Sequence, residues 1–250
     1  MQERGPSAYI AEFIGTLVLV LFITLAVSLY VTPASATNPS PYIDFGVIGL
    51  VHVFVLFVLI QGLAIVSGAH FNPAVTTALL FLRQIRPGDA GIYVVTQLAG
   101  GVVGALITKL LLTNFDNAED VNYGATGISD RLDGSNLLGM LAEGIGTFVL
   151  VFAIIGVAVN PRGLKDWAGF AIGSALGLAV MVIAPLTGAG LNPARAFGPA
   201  LVSGEFGGAD TFLLAYVLAP VIGALAAVAV YVGVYSEPGK KQPGGMEPVG

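Results

Sequence analysis

Six stretches of almost unbroken apolar residues run along the chain, at about 8–31, 45–66, 90–112, 136–159, 167–186 and 211–235, separated by short breaks that hold most of its charges. Each reaches the roughly 20 residues with which a helix crosses the hydrocarbon of a bilayer, and none shows the short alternating segments of an outer-membrane strand. The pattern therefore predicts six spanning helices. Two further apolar segments, 73–82 and 193–203, are too short to span, and each begins at an Asn-Pro pair.

Composition places this pattern in a membrane. The 250 residues are 56% hydrophobic and 10% charged, with a mean hydropathy of +0.88, whereas a soluble domain carries roughly 25% charged residues. The chain has no cysteine, so neither disulfides nor thiol chemistry enter and the redox compartment is not readable. A net charge of −5 with 10 Lys and Arg excludes a nucleic-acid binder. Ala34-Ser35-Ala36 imitates a signal-peptidase site, but the run before it contains Glu12 and exceeds the roughly 7–15 residues of a signal core, so it reads as a span. Threading six spans puts Arg4, Arg83, Arg86, Arg162, Lys165, Lys240 and Lys241 on one face, while loop 113–135 carries Asp116, Glu119, Asp120, Asp130 and Asp133 against Arg131 alone. Basic residues mark the cytoplasmic side, and both termini are expected there. Residues 236–250, rich in Gly, Pro and Lys, read as a disordered end.

Two landmarks recur in the same order. Ala11-Glu12-Phe13-Ile14-Gly15-Thr16 returns as Ala142-Glu143-Gly144-Ile145-Gly146-Thr147, and SGAHFNPAV at 67–75 returns as TGAGLNPAR at 187–195. The chain is thus a duplication within one membrane domain over 1–250: a first repeat at about 7–112, a loop at 113–135 and a second repeat at about 136–235. Three spans per repeat is an odd number, so the second copy enters the bilayer from the other side and the halves are inverted. Asn is a strong N-cap and Pro suits the first helical position. Asn72-Pro73-Ala74 and Asn192-Pro193-Ala194 therefore read as the starts of re-entrant half-helices, with Gly68 and Gly188 in the tight backbone that dips in first. A turn copied along with the duplication is the blander alternative, which two copies at matching places disfavour. Irregular backbone at membrane depth persists only where it is buried or lines a wet cavity. Both segments are expected to line one polar path on which two helix dipoles converge.

At these residues the sequence resembles the aquaporin, or major intrinsic protein, family. The resemblance runs over nearly the whole chain: the Ala-Glu-x-x-Gly-Thr opening of each half, His70-Phe71-Asn72-Pro73-Ala74-Val75, Asn192-Pro193-Ala194-Arg195, Gln97 in the third span and Pro220 in the sixth. It implies an all-α hourglass of six transmembrane helices and two re-entrant half-helices, with a pore in each monomer and a homotetrameric assembly. Asn72 and Asn192 resemble the two amides that donate hydrogen bonds to water at the midplane, where such donors and the helix dipoles oppose a proton wire and cation passage. Arg195, about one turn along its half-helix, is similar to the family's filter arginine; an Arg inside an apolar segment more often serves a pathway than an interface.

Spacing carries three more filter positions over, His52, Val180 and Ala189. Strict water channels of the family usually have a large aromatic at the His52 position and His at the Val180 position, and glycerol facilitators resemble Trp-Gly-Phe-Arg. The set His-Val-Ala-Arg matches neither and resembles that of the tonoplast intrinsic proteins, which implies a filter wider than a strict water filter. Ala196 and Ala200 stand where facilitators usually have an Asp and a basic residue, whereas Tyr216 and Val217 in the sixth span are mixed.

Glu12 and Glu143, at equivalent places in the repeats, are expected to brace the amides of the re-entrant loops. His70 is read as fixing loop backbone, since no second His or Cys lies at ligand spacing. Gly100, Gly104, Gly169, Gly173 and Gly177 follow the small-xxx-small spacing of close helix contacts. The expectation that emerges is a passive water channel that excludes protons and ions and also admits ammonia, hydrogen peroxide or urea. A glycerol or small-solute facilitator is the alternative, and an ion-coupled secondary transporter a distant one. No nucleophile–base set points to an enzyme, and no cofactor or metal is expected. Short termini lean towards a prokaryotic cytoplasmic membrane.

Overall fold

The computed structural model describes residues 4–32, 42–115 and 117–235, so the expected disordered end at 236–250 lies outside the described residues. In chain order the helices are α1 Pro6–Tyr30, α2 Phe45–Ser67, α3 Pro73–Phe81, α4 Pro87–Leu111, α5 Asn136–Val159, α6 Ala168–Thr187, α7 Pro193–Ser203 and α8 Ala209–Tyr235. Six of them are long and apolar enough to cross a membrane, whereas α3 has 9 residues and α7 has 11. The short pieces are the two half-helices.

The ends of these helices have local causes. Proline opens α1, α3, α4 and α7, where its missing N–H costs nothing. The Asp44 carboxylate accepts from Val47 N–H at 2.9 Å to start α2, and Ser135 Oγ accepts from Leu138 N–H at 3.3 Å to start α5. The helices α2 and α6 both stop at a glycine in the left-handed region, Gly68 at φ 88° and Gly188 at φ 74°, a conformation that a Cβ strains. Where the apolar run suggests a start near 90, α4 begins instead at Pro87, because the proline initiates helix regardless of the polar Asp89 in its first turn.

Polarity is reversed relative to a soluble protein. Ile65 is 92% exposed and Leu110 73%, while Glu12, Gln97 and Glu143 are 0% exposed. The helices α1 and α4 pack together, as do their repeat counterparts α5 and α8, and α2 packs on α6 along the middle. The half-helix α7 lies on α4 and α3 lies on α8, so each is held by the last span of the opposite half.

Glycine makes these crossings close. A Cβ at Gly100 or Gly104 would overlap the Phe13 or Leu17 carbonyl of α1, and one at Gly173 or Gly177 would overlap Val53 or Gly49 of α2. Gly169 faces side chains only, Gln61 and Phe57. The tightest seat lies beside the half-helix. A Cβ at Gly101 would overlap the Ala194 carbonyl, and one at Gly198 would overlap the Gly101 carbonyl. Gly101→Val is therefore expected to destabilise the protein by about 3 kcal/mol and to abolish permeation by pushing α7 off α4. Gly91→Val, where nothing lies within 4 Å, is the matched control. Thermal unfolding in detergent followed by size exclusion separates the two.

Candidate functional site: a polar path where two half-helices meet

The connection before each half-helix alternates into the left-handed region at residues other than glycine: Ala69 (φ 53°) and Phe71 (φ 49°) in the first, Ala189 (φ 49°) and Leu191 (φ 51°) in the second. Each such residue costs of order 1–3 kcal/mol and persists only where its surroundings over-determine it. Two buried carboxylates do so. Glu12 accepts from Ser67 Oγ–H at 2.6 Å, His70 N–H at 2.9 Å, Phe71 N–H at 2.7 Å and Gln97 Nε2–H at 2.8 Å. Glu143 accepts from Thr187 Oγ1–H at 2.6 Å, Gly190 N–H at 2.8 Å and Leu191 N–H at 2.6 Å. Two phenols complete the matching pair: Tyr93 donates to the Ser67 carbonyl at 2.7 Å and Tyr216 to the Thr187 carbonyl at 2.9 Å.

Asn72 Oδ1 accepts from Ala74 N–H at 2.8 Å, and Asn192 Oδ1 accepts from Ala194 N–H at 3.0 Å and Arg195 N–H at 3.3 Å. These are N-caps, with Pro73 and Pro193 in the first helical position. The amide nitrogens reach across the repeat. Asn72 Nδ2 donates to the Leu191 carbonyl at 2.9 Å and Asn192 Nδ2 to the Phe71 carbonyl at 2.8 Å. An amide nitrogen carries two hydrogens, so each asparagine keeps one for the cavity that both of them line. Ala74 and Ala194, both 0% exposed, leave the two helix starts room to meet.

A cavity of about 470 Å³ extends from Arg4, His70 and Arg83 to Asn72, Asn192 and Ala189. A second, of about 270 Å³, lies against Asn122, Gly124 and Val180. His52 and Arg195 line both. His52 and Arg195 therefore stand at the passage from one cavity to the other, with Val180 lining the smaller and Ala189 the larger. His52 Nδ1 lies 2.7 Å from the Ile48 carbonyl, which only accepts, so Nδ1 carries the hydrogen and Nε2 is left for the path. Arg195 Nη1 donates to the Gly124 carbonyl at 2.9 Å, and its Nε has no partner among the described residues. His70 lies away from the passage, with Nδ1 3.1 Å from Thr76 Oγ1 and its ring edge-on to Tyr93 at 5.0 Å. Among the described residues neither cavity is lined by Asp or Glu.

The sequence profile of the family described as Major intrinsic protein matches residues 4–231. The chain belongs to that family. It is accordingly a membrane channel for water or small solutes and not an enzyme. Its relatives include Nodulin-26 of Glycine max, 41% identical over 76% of this chain and 65% of that protein. Aquaporin AqpM of Methanothermobacter marburgensis is 34% identical over 91% of this chain and 97% of its own. Glycerol uptake facilitator protein-like 6 of Lactiplantibacillus plantarum is 34% identical over 88% and 94%. The solved aquaglyceroporin of Plasmodium falciparum superposes with a TM-score of 0.72 at 25% identity, covering 90% of this chain and 94% of that one.

Several residues of this major intrinsic protein's site escape a reading by motif. Ser67 and Thr187 give one signal, a hydroxyl before the glycine in both copies. Tyr93 and Tyr216 give another, each standing four residues before the family marks Gln97 and Pro220. Gly124 gives none. It lies in loop 113–135, in a run of left-handed residues with Asn122 and Tyr123, and only the folded chain sets its carbonyl against Arg195. Tyr123 anchors that run by donating to Glu119 Oε1 at 3.0 Å, with Lys109 Nζ 5.0 Å from its ring centroid. Desolvation and the Glu119 carboxylate push the Tyr123 phenol up.

Proposed function

We propose that the chain is a passive channel with a pore in each monomer, conducting water and small neutral solutes such as ammonia, hydrogen peroxide and urea while excluding protons and ions. The observation that carries this reading is the passage between His52 and Arg195, set between two cavities that no carboxylate lines among the described residues. Arg195 and two half-helix N-termini put positive charge along the path, which repels cations. The spare hydrogens of Asn72 and Asn192 turn each passing water the same way and interrupt a proton wire. Glu12 and Glu143 spend their oxygens on loop donors, which argues against a proton-coupled transporter.

A second reading, a glycerol facilitator, is favoured by the small side chains of Val180 and Ala189 at the passage and by the printed names of two of the relatives above. The repeat limits of about 7–112 and 136–235 belong to the same proposal. So do both termini in the cytoplasm, argued from the Lys and Arg distribution, and a homotetramer, argued from family likeness alone. A prokaryotic cytoplasmic membrane is supported by bacterial and archaeal relatives matched over 94% and 97% of their lengths.

Stopped-flow light scattering on proteoliposomes tests the channel. Osmotic shrinkage is expected to be faster than in empty vesicles and to have a low activation energy. Shrinkage at the empty-vesicle rate would overturn the reading. Iso-osmotic uptake of urea and glycerol by the same vesicles decides between the two solute ranges.

A further inference from the structure

We propose that Arg4 is a second charge filter, placed at the cytoplasmic mouth, which together with Arg195 bars small cations, ammonium and protonated amines included, from both ends of the path. The inference rests on the channel reading above. In the second half-helix the residue after Asn-Pro-Ala is Arg195; in the first it is Val75. The first repeat thus lacks a cation of its own at the matching place, and the chain ahead of that repeat supplies one. Arg4 lines the larger cavity together with Gly68, His70 and Arg83. Its Nη2 lies 3.2 Å from where a Cβ on Gly68 would stand. Its Nε is buried and has no hydrogen-bond partner among the described residues.

The backbone of Arg4 is held in place. Arg4 N–H donates to Asp89 Oδ2 at 3.3 Å, and the Tyr9 hydroxyl lies 2.6 Å from Asp89 Oδ1 and 3.2 Å from the Arg4 carbonyl. Tyr9 in turn packs edge-on against Tyr93 at 6.1 Å, the residue that holds the Ser67 carbonyl. The opposite mouth is likewise covered by a segment from outside the repeats, there by backbone and not by a guanidinium. There the backbone of Thr126 and Gly127 closes over Gly188 as Arg4 closes over Gly68, and the Gly124 carbonyl of the same loop fixes Arg195. Asp89 holds the Arg4 backbone but does not line the cavity, and among the described residues no carboxylate lines the cavity beside the guanidinium. Arg4 is half-buried, and a charge partly withdrawn from water is screened less than a fully exposed one.

Two barriers in series hide one another, so the test removes Arg195 first. The chain has no cysteine, and Arg4→Cys therefore creates a single thiol target. Potassium leak is measured from proteoliposomes of Arg195→Val and of Arg195→Val/Arg4→Cys, with Arg195→Ala replacing Arg195→Val if that variant fails to insert, and the protein content of vesicles floated on a density gradient reports insertion. The double variant is expected to leak about tenfold more than the single one. A cationic methanethiosulfonate is expected to restore the low leak, and an anionic reagent of similar size is not. Equal leak in the single and double variants, or equal closure by both reagents, overturns the proposal. Loss of water flux in the unmodified chain would instead overturn the channel reading.

Discussion

Glu143→Gln, which keeps the shape of the side chain, is expected to abolish permeation and to destabilise the protein by about 3 kcal/mol or more. The reason is the direction of its hydrogen bonds. Oε1 accepts from Thr187 Oγ1–H and Gly190 N–H, and Oε2 from Leu191 N–H. Whichever way a glutamine amide is turned, its NH2 faces a backbone N–H, and that buried donor loses its partner. Leu191 and Ala189 are the strained residues of the loop, so the lost bond falls where the backbone has most to relax. The Leu191 carbonyl that receives Asn72 would move with it. Glu12→Gln is expected to act alike, because both of its oxygens also accept backbone N–H groups, from His70 and Phe71. Osmotic flux per reconstituted protein and the thermal midpoint in detergent measure both effects. Normal flux and an unchanged midpoint in the two variants would mean that the carboxylates do not hold the loops.

His52→Phe is expected to cut urea and glycerol uptake by at least about tenfold, roughly 1.4 kcal/mol in barrier, while water flux falls far less. At the passage Val180 and Ala189 are small, so width there depends on the side chain opposite Arg195. A phenyl ring is bulkier than imidazole, cannot bond the Ile48 carbonyl that now holds Nδ1 at 2.7 Å, and offers no acceptor to a solute in place of Nε2. Water needs less room and keeps the Arg195 and asparagine donors. Iso-osmotic solute uptake and osmotic shrinkage, measured on the same vesicles, give the ratio. If solute uptake is unchanged, the width of the path is set somewhere other than at His52.

Much of this molecule could be read from the chain because the signals are local. Apolar runs of spanning length place the six long helices, and Asn72-Pro73 and Asn192-Pro193 start the short ones since capping needs only neighbouring residues. The duplication is visible in two Glu and two Asn-Pro-Ala landmarks, and the resemblance to the aquaporin family, carried over by spacing, points to His52, Val180, Ala189 and Arg195. The glycine reading was less complete. Gly100, Gly104, Gly173 and Gly177 meet backbone, but Gly101 and Gly198, which seat the second half-helix, stand four residues from an alanine, Ala105 and Ala194, and not from a second glycine.

Tertiary structure decided the rest. Asn72 donates to Leu191 and Asn192 to Phe71, Arg195 donates to the Gly124 carbonyl, and Arg4 reaches Gly68. Those partners are separated by 64 to 121 positions, as in the bonds from Asn72, Asn192 and Arg195 with separations of 119, 121 and 71. Hydropathy and capping act over one or two helical turns, so the sequence by itself determined the helices, their breaks and the repeat. Only the packing of one half against the other brought the Asn72 and Asn192 amides to the Leu191 and Phe71 carbonyls, and only the fold of the loop between the halves brought the Gly124 carbonyl to Arg195.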